Sequence, residues 1–258
     1  MEFIYANYLN TTGSITINSN TAGAANLYST DIRQQWYSSG LNDDSLPASI
    51  TISFSSTQTV SRLVLMNINA KKMTIYYNGA TANTFALTTT AATTTASFTN
   101  NSETSLYLTT TPVDCTSVTI DIYSTQVANS EKAIGWLAVS DLLLDFERIP
   151  SANNYKVMLD PQRVEHKLSD GGTRIQFTRD VMRADISFEY LSASFTSSLR
   201  SVYDLQTDYI FCAFPTTTGW DKVCFPCVWT GPYDFLNYSD NAANSGFGGK
   251  IQLRQIPQ

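Results

Sequence analysis

Residues 27–79 read LYSTDIRQQWYSSGLNDDSLPASITISFSSTQTVSRLVLMNINAKKMTIYYNG, and the fold turns on how this stretch alternates. It opens as a polar loop carrying Trp36 and Tyr37. Three strand patterns then follow in quick succession. In Ala48–Phe54, Ile50, Ile52 and Phe54 fall on one face and Ser49, Thr51 and Ser53 on the other. Val60–Met66 and Met73–Tyr77 repeat the theme. A period of two apolar and polar positions marks strands with one buried and one wet face. Asn78-Gly79 then supplies a tight-turn signal.

The same pattern extends in both directions. Ser14–Asn18 alternates upstream. Downstream, Phe85–Thr88, Ala96–Phe98 and Ser105–Thr109 read as short strands, joined by Thr/Ala-rich segments. Residues 88–95, TTTAATTT, are read as a polar connection, since β-branched threonine disfavours helix. Ser117–Tyr123 is a further alternating strand. After a loop at Ser124–Glu131, Lys132–Leu144 reads as one apolar strand. Short strands at roughly ten-residue spacing indicate a sandwich or barrel.

This order of parts, from the Trp36-Tyr37 loop to the closing IGWLAVSDLLL segment, resembles the discoidin (coagulation-factor type C) module over about residues 20–146. The resemblance implies a β-sandwich jelly roll that binds ligands with loops at one end. By that resemblance the ligand-binding candidates are Trp36, Tyr37, Asn42, Asp43 and Asp44, with Asn67, Asn69, Lys71 and Lys72 as a second cluster. Sugar rings would stack on the aromatic groups, and amides and carboxylates would bond hydroxyls. The bland alternatives are that Trp36 packs as core and that Asn42-Asp43-Asp44 is a solvated turn. Three adjacent residues cannot by themselves supply the six to eight oxygens that Ca²⁺ wants. The exposed hydrophobic spikes of membrane-binding discoidin modules are missing.

Residues 147–154, with Pro150, are the expected linker between domains 1–146 and 155–258. In the second half, Tyr155–Leu159, Arg174–Thr178 and Arg183–Tyr190 read as strands around a turn at Ser169–Thr173. Ser194–Gln206 places Phe195, Leu199, Val202 and Leu205 at helical spacing. Strands at Tyr209–Phe214, Val223–Trp229 and Gly249–Gln255 follow. The pieces DGGTRIQFTRDVMRADISFEY, SLRSVYDLQ, FPTTTGWDKVCFPCVWTGPYDF and IQLRQIP resemble in pattern the small β domains of bacteriophage distal-tail and baseplate-hub proteins. That resemblance implies docking into a symmetric assembly.

Composition narrows the function classes. Of 258 residues, 43% are hydrophobic and 15% charged, so the surface is built mainly from uncharged polar groups. Net charge is −6. Residues 1–146 carry five Lys/Arg against ten Asp/Glu, and residues 147–258 eleven against twelve. No basic run exceeds Lys71-Lys72, so the cationic footprint of a nucleic-acid binder is absent. No apolar run approaches the ~18 residues of a spanning helix, and MEFIYANYL is not a secretory signal. The one histidine, His166, sits between Glu165 and Lys167. A lone histidine of this kind is more often a surface group than a base. Cys115, Cys212, Cys224 and Cys227 read as buried thiols ahead of a disulfide or a metal site, although Cys224 and Cys227 have C-x-x-C spacing. A zinc site needs four ligands, and a redox motif sits at a helix N-terminus rather than in a strand.

The expected fold class is therefore mainly β: an N-terminal β-sandwich jelly roll plus a small C-terminal β domain with one short helix. The expected function is non-enzymatic, with no cofactor and no bound metal. It is that of a structural protein of a phage tail or baseplate, made in the host cytoplasm and carried in the virion. Its partners would be other virion tail proteins, further copies of itself and a host glycan, without nucleic acid or membrane insertion. The alternative is a free carbohydrate-binding module.

Overall fold

The computed structural model describes residues 1–29, 34–78, 85–86, 91–92, 95–98, 100–150, 154–169, 171–214, 223–237 and 246–256. The Gly79 half of the expected turn, most of the 88–95 connection, and linker residues 151–153 lie outside the described residues.

The fold is mainly β. The residues cluster into two compact units. One comprises Glu2–Leu143 with Ile210–Cys224. The other comprises Met1, Leu144–Tyr209 and Phe225–Ile256. Ile210–Cys224 thus comes from the second half of the chain yet clusters with the first.

The first unit is a sandwich made largely by two long strands that fold over. Ala48–Met66 and Ser105–Thr125 are each continuous, where alternation suggested two separate strands apiece. They pair antiparallel, residues 48–53 with 117–122 and residues 58–66 with 105–115. The register shifts between Ser53 and Gln58. The polar run Ser55-Ser56-Thr57 occupies this break. A bulge of this kind bends a strand and sharpens its twist, which lets the two halves of each strand face one another across one core. That core takes Ile50, Ile52, Ile75, Val118 and Ile120 from one layer and Leu63, Leu65, Leu106, Leu108 and Val113 from the other. Gly13–Ile17 and Ala70–Asn78 widen the first layer, and Trp136–Ser140 widens the second.

The second layer is buried on both sides. Val64, Tyr107, Trp136 and Ala138 point away from the sandwich core, yet they form a separate cluster with Ile4, Ile210, Cys212 and Cys224. The alternation of Val60–Met66 predicts one wet face; instead the apolar stretches Leu63–Met66 and Trp136–Val139 belong to strands covered on both faces. The expected single strand Lys132–Leu144 is divided into Ala133–Ile134, Trp136–Ser140 and Leu142–Asp145. Past Ser140 it leaves the sandwich, and the Asp141 carbonyl accepts from the Tyr5 N–H at 3.0 Å.

In the second unit, Tyr155–Lys167 and Thr173–Leu191 form a long hairpin. Thr173–Leu191 also pairs with Phe247–Gln255, beside which lie Asp234–Asn237 and residues 227–229. The helix spans Ala193–Asp204 and buries Phe195, Leu199 and Val202 as the spacing predicts. Leu205 departs from that stripe: it caps the helix C-terminus and is exposed. Phe146 stacks on Phe188, with ring centroids 5.5 Å apart, and tilts against Phe195. Toward its tip the hairpin leaves the sheet, and residues 165–169 and 173–176 are exposed.

Candidate functional site

The folding-over of the two long strands leaves one end of the sandwich closed by bends and the other open. Strands end at the open end at Ala48, Met66, Ala70, Ser105 and Thr125. The connecting segments at 38–47, 67–69, 100–104 and 126–132 therefore gather there. All nine candidate residues lie in or beside these segments, apart from the Trp36 ring, which turns inward.

Trp36 is fully buried in the sandwich core, and its indole N–H donates to the Asn20 carbonyl at 3.3 Å. The ring packs beneath the loops rather than on them. Tyr37, the next residue in an extended pair with Ala133, points the opposite way. It is 45% exposed, and its hydroxyl donates to Gln35 Oε1 at 2.7 Å.

The 41–46 loop is organised by a residue that sequence reasoning missed. Lys132 is fully buried, and its ammonium donates to the carbonyls of Leu41, Asp43 and Leu46, the last two at 2.8 and 3.1 Å. Its backbone exchanges hydrogen bonds with Ser38: the Lys132 N–H donates to Ser38 Oγ at 2.9 Å, and the Ser38 N–H donates to the Lys132 carbonyl at 2.8 Å. Burial pulls the lysine pKa below its ordinary value, against the opposing pull of the Asp44 and Asp43 carboxylates. The one sequence signal was a lone lysine at the head of an apolar strand.

Asp43 bonds within this loop, and Asp44 ties it to the segment around Thr125–Asn129. Asp43 Oδ1 accepts from the Ser45 N–H at 2.7 Å, which holds its carboxyl below the usual carboxylate range. Asp44 Oδ1 accepts from the Thr125 N–H and hydroxyl at 3.3 and 3.4 Å. The Asp44 N–H donates to Asn129 Oδ1 at 3.4 Å. Asn42, which precedes them in the loop, is exposed.

In the second cluster Asn69 is a connector. Its amide donates to the Glu131 carbonyl at 2.7 Å, and its oxygen accepts from the Ala133 N–H at 2.9 Å. Asn69 thereby ties its own loop to the segment that carries Lys132. Asn67 is exposed and adopts a left-handed backbone, φ 52°. Lys71 is exposed, and its carbonyl accepts from the Asn101 N–H at 2.8 Å. Lys72 lies over the Tyr123 ring, 5.0 Å from the centroid.

The structure thus sorts the candidates by role. Trp36, Asp43, Asp44 and Asn69 build the loop end, while Tyr37, Asn42, Asn67, Lys71 and Lys72 are presented on it. An exposed phenol ring offers an apolar face with a polar tip. An amide both donates and accepts. Among the described residues no cluster of three or more His, Cys, Asp and Glu side chains is placed to hold a metal ion. All four cysteines are buried, and none is in a disulfide.

No family model matches the chain, and no curated protein matches it. Among solved structures it is similar to a selenomethionine-labelled variant of chitosan-binding module 1 from a chitosanase/glucanase of Paenibacillus sp. IK-5. The identity is 19% and the TM-score 0.41, with 53% of this chain and 98% of that chain covered. It is also similar to the family 32 carbohydrate-binding module of Clostridium perfringens NanJ in complex with galactose. There the identity is 15% and the TM-score 0.38, with 54% and 97% covered.

Proposed function

We propose that this protein is a non-catalytic carbohydrate-binding protein whose ligand is a glycan held at the open end of the sandwich. The observation that carries this reading is the half-exposed Tyr37 ring beside a loop braced from below by Lys132. A sugar offers a C–H face to stack on an aromatic ring, and hydroxyls for amides such as Asn42 and Asn67 to bond. A braced loop loses little entropy when it binds, which favours affinity. The His166 side chain supports a non-catalytic role. It lies exposed on the hairpin opposite Arg174, a donor-only cation that cannot orient an imidazole as a carboxylate would. The test is a glycan array with the full chain, followed by titration of hits against Tyr37→Ala and Asn42→Ala. Loss of binding in both variants with unchanged thermal unfolding supports the reading; an array without hits defeats it.

A second reading is assembly with further copies of this chain, as a virion tail protein would need; the hairpin tip supports the pairing step of that reading. An isolated two-stranded hairpin is marginally stable in water, and residues 165–169 and 173–176 have solvent on both faces. Tyr155–Lys167 is also the edge strand of its sheet among the described residues. Such edges invite pairing with another chain. Sedimentation at rising concentration tests this reading. A hairpin that drives self-association yields an oligomer that disappears when residues 165–175 are replaced by a two-residue turn. A strict monomer that binds no tail protein removes it. The two readings are compatible, because one uses the loop end of the sandwich and the other the hairpin.

A further inference from the structure

We propose that Lys132 is a tethered cation: its ammonium fills a cage of backbone carbonyls and so ties the 41–46 loop, which carries Asn42, to the strand that carries Tyr37. This rests on the carbohydrate-binding reading above and names the residue that positions that site.

The chemistry of the cage fits an ammonium better than a metal. Three carbonyl oxygens, from Leu41, Asp43 and Leu46, converge on Nζ. An ammonium carries three N–H donors, so each donor has one acceptor. A calcium ion in the same place would require six to eight oxygens. The carboxylates of Asp43 and Asp44 supply compensating charge nearby, as a buried cation requires. Each of those carboxylates is in turn held by backbone N–H groups, of Ser45 and Thr125 respectively.

The cage also has a purpose in the fold. The loop from Ser39 to Pro47 has little regular structure, and its Leu41, Asp43 and Leu46 carbonyls converge on Lys132. Buried carbonyls must find donors. With Lys132 in place they find them on a side chain whose own backbone is locked to Ser38, next to Tyr37. One residue therefore couples the tip that carries Asn42 to the strand that carries Tyr37. Because the ion is covalently attached, ligand binding is independent of free metal.

The experiment uses the full chain. Amide exchange is followed at Ser45 and Leu46, whose N–H groups bond within the loop. Exchange at Ile50 and Ile120, in the central ladder, reports global folding. In Lys132→Met and Lys132→Ala, exchange at Ser45 and Leu46 accelerates by at least about tenfold while the ladder amides are unchanged, the effect expected when buried acceptors are orphaned. Added methylammonium restores protection in Lys132→Ala, where the side-chain space is vacant, but not in Lys132→Met, where it is filled. Any glycan found for the wild type loses affinity and regains it in the same pattern, and wild-type binding is unchanged by a chelator.

Unchanged exchange at Ser45 and Leu46 in both variants overturns the proposal. So does methylammonium acting equally on the two variants. If both variants lose ladder protection, Lys132 is a general folding element and the positioning role falls. The exchange measurement needs no ligand. An absence of glycan binding by the wild type would thus defeat the carbohydrate reading while leaving the loop-bracing result to be read separately.

Discussion

Glu2 grips Arg62 with both carboxylate oxygens, at 2.7 Å to Nε and 3.1 Å to Nη2, across sixty residues of chain. Both side chains are buried, and the Tyr107 hydroxyl donates to Glu2 Oε2, the oxygen that also accepts from Arg62 Nε. The Arg62 Nη1 group donates to the Ser61 carbonyl at 2.9 Å. A buried pair of this kind contributes little over an apolar equivalent, but breaking one half strands the other charge, at a cost of about 3–5 kcal/mol. Glu2→Ala should therefore lower the unfolding free energy by about that amount. Glu2→Met with Arg62→Met should recover most of it. Urea denaturation of the three proteins checks this. A cost below about 1 kcal/mol for Glu2→Ala, the range of an exposed pair, would show that water reaches the site.

Cys115 offers a chemical readout of the sandwich core. It is fully buried, and burial, with help from Asp114, pushes its thiol up to about 12 from an ordinary 9.0. The thiolate is the reactive species, so the folded protein should resist alkylation at Cys115 at pH 8. Labelling should appear only in denaturant, with the site assigned by peptide mass mapping. The linkage has a definite sign. The folded state keeps the proton longer than the unfolded state, so the contribution of this thiol is whole below pH 9 and declines as pH rises from there toward 12. Alkylation of Cys115 at a rate matching an exposed thiol would contradict its place in the core.

What could be read in advance, and what could not, follows from how far apart the partners lie in the chain. Ile50 and Ile52 announced a buried face because their alternation is local. Phe195, Leu199 and Val202 did the same for the helix. The alternation of Val60–Met66 predicts a wet face, whereas Val64 is covered on that side. The covering residues, Ile210, Cys212 and Cys224, come from about 150 residues away, and no local pattern reports them. The loop end was legible as a place, since polar segments had to connect the strands. Its division of labour was not. Nothing in the residue type of Asp43 or Asn69 distinguishes a group that bonds a sugar from one that bonds its own backbone. The cage around Lys132 is made of carbonyls, which every residue has, so it leaves no signature in side chains.

The helix Ala193–Asp204 depends on its first residue pair. Ser192 Oγ accepts from the Phe195 N–H at 3.1 Å, capping the N-terminus, and donates to Glu147 Oε2 at 2.6 Å. Glu147 Oε1 accepts from the Ser192 N–H at 2.7 Å. Ser192→Ala should cost about 1 kcal/mol, a usual value for a lost cap. Ser192→Asp keeps an acceptor for Phe195 but brings a second carboxylate beside Glu147, so it should rescue the helix only in combination with Glu147→Gln. Thermal unfolding of the set checks the order. If Ser192→Asp alone restores full stability, the Glu147 contact is incidental.

Gly135 interrupts the closing strand for a reason that can be tested by compensation. A Cβ placed there would lie 2.7 Å from Asn67 Cβ, 3.1 Å from Asn67 Nδ2 and 3.2 Å from the Met66 carbonyl. The Gly135 N–H donates to that carbonyl at 2.9 Å and to the Asn67 carbonyl at 3.2 Å, so the two segments cannot separate without losing both bonds. Gly135→Ala should therefore destabilise by about 1–3 kcal/mol, the usual cost of overpacking. Asn67 already has φ 52°, a conformation that glycine adopts without strain. Asn67→Gly should thus be close to neutral, and Gly135→Ala combined with Asn67→Gly should recover most of the loss because the nearest contact is gone. Chemical denaturation of the two single variants and the double variant measures the coupling. Strict additivity would mean that the clash lies with the Met66 backbone rather than with the Asn67 side chain.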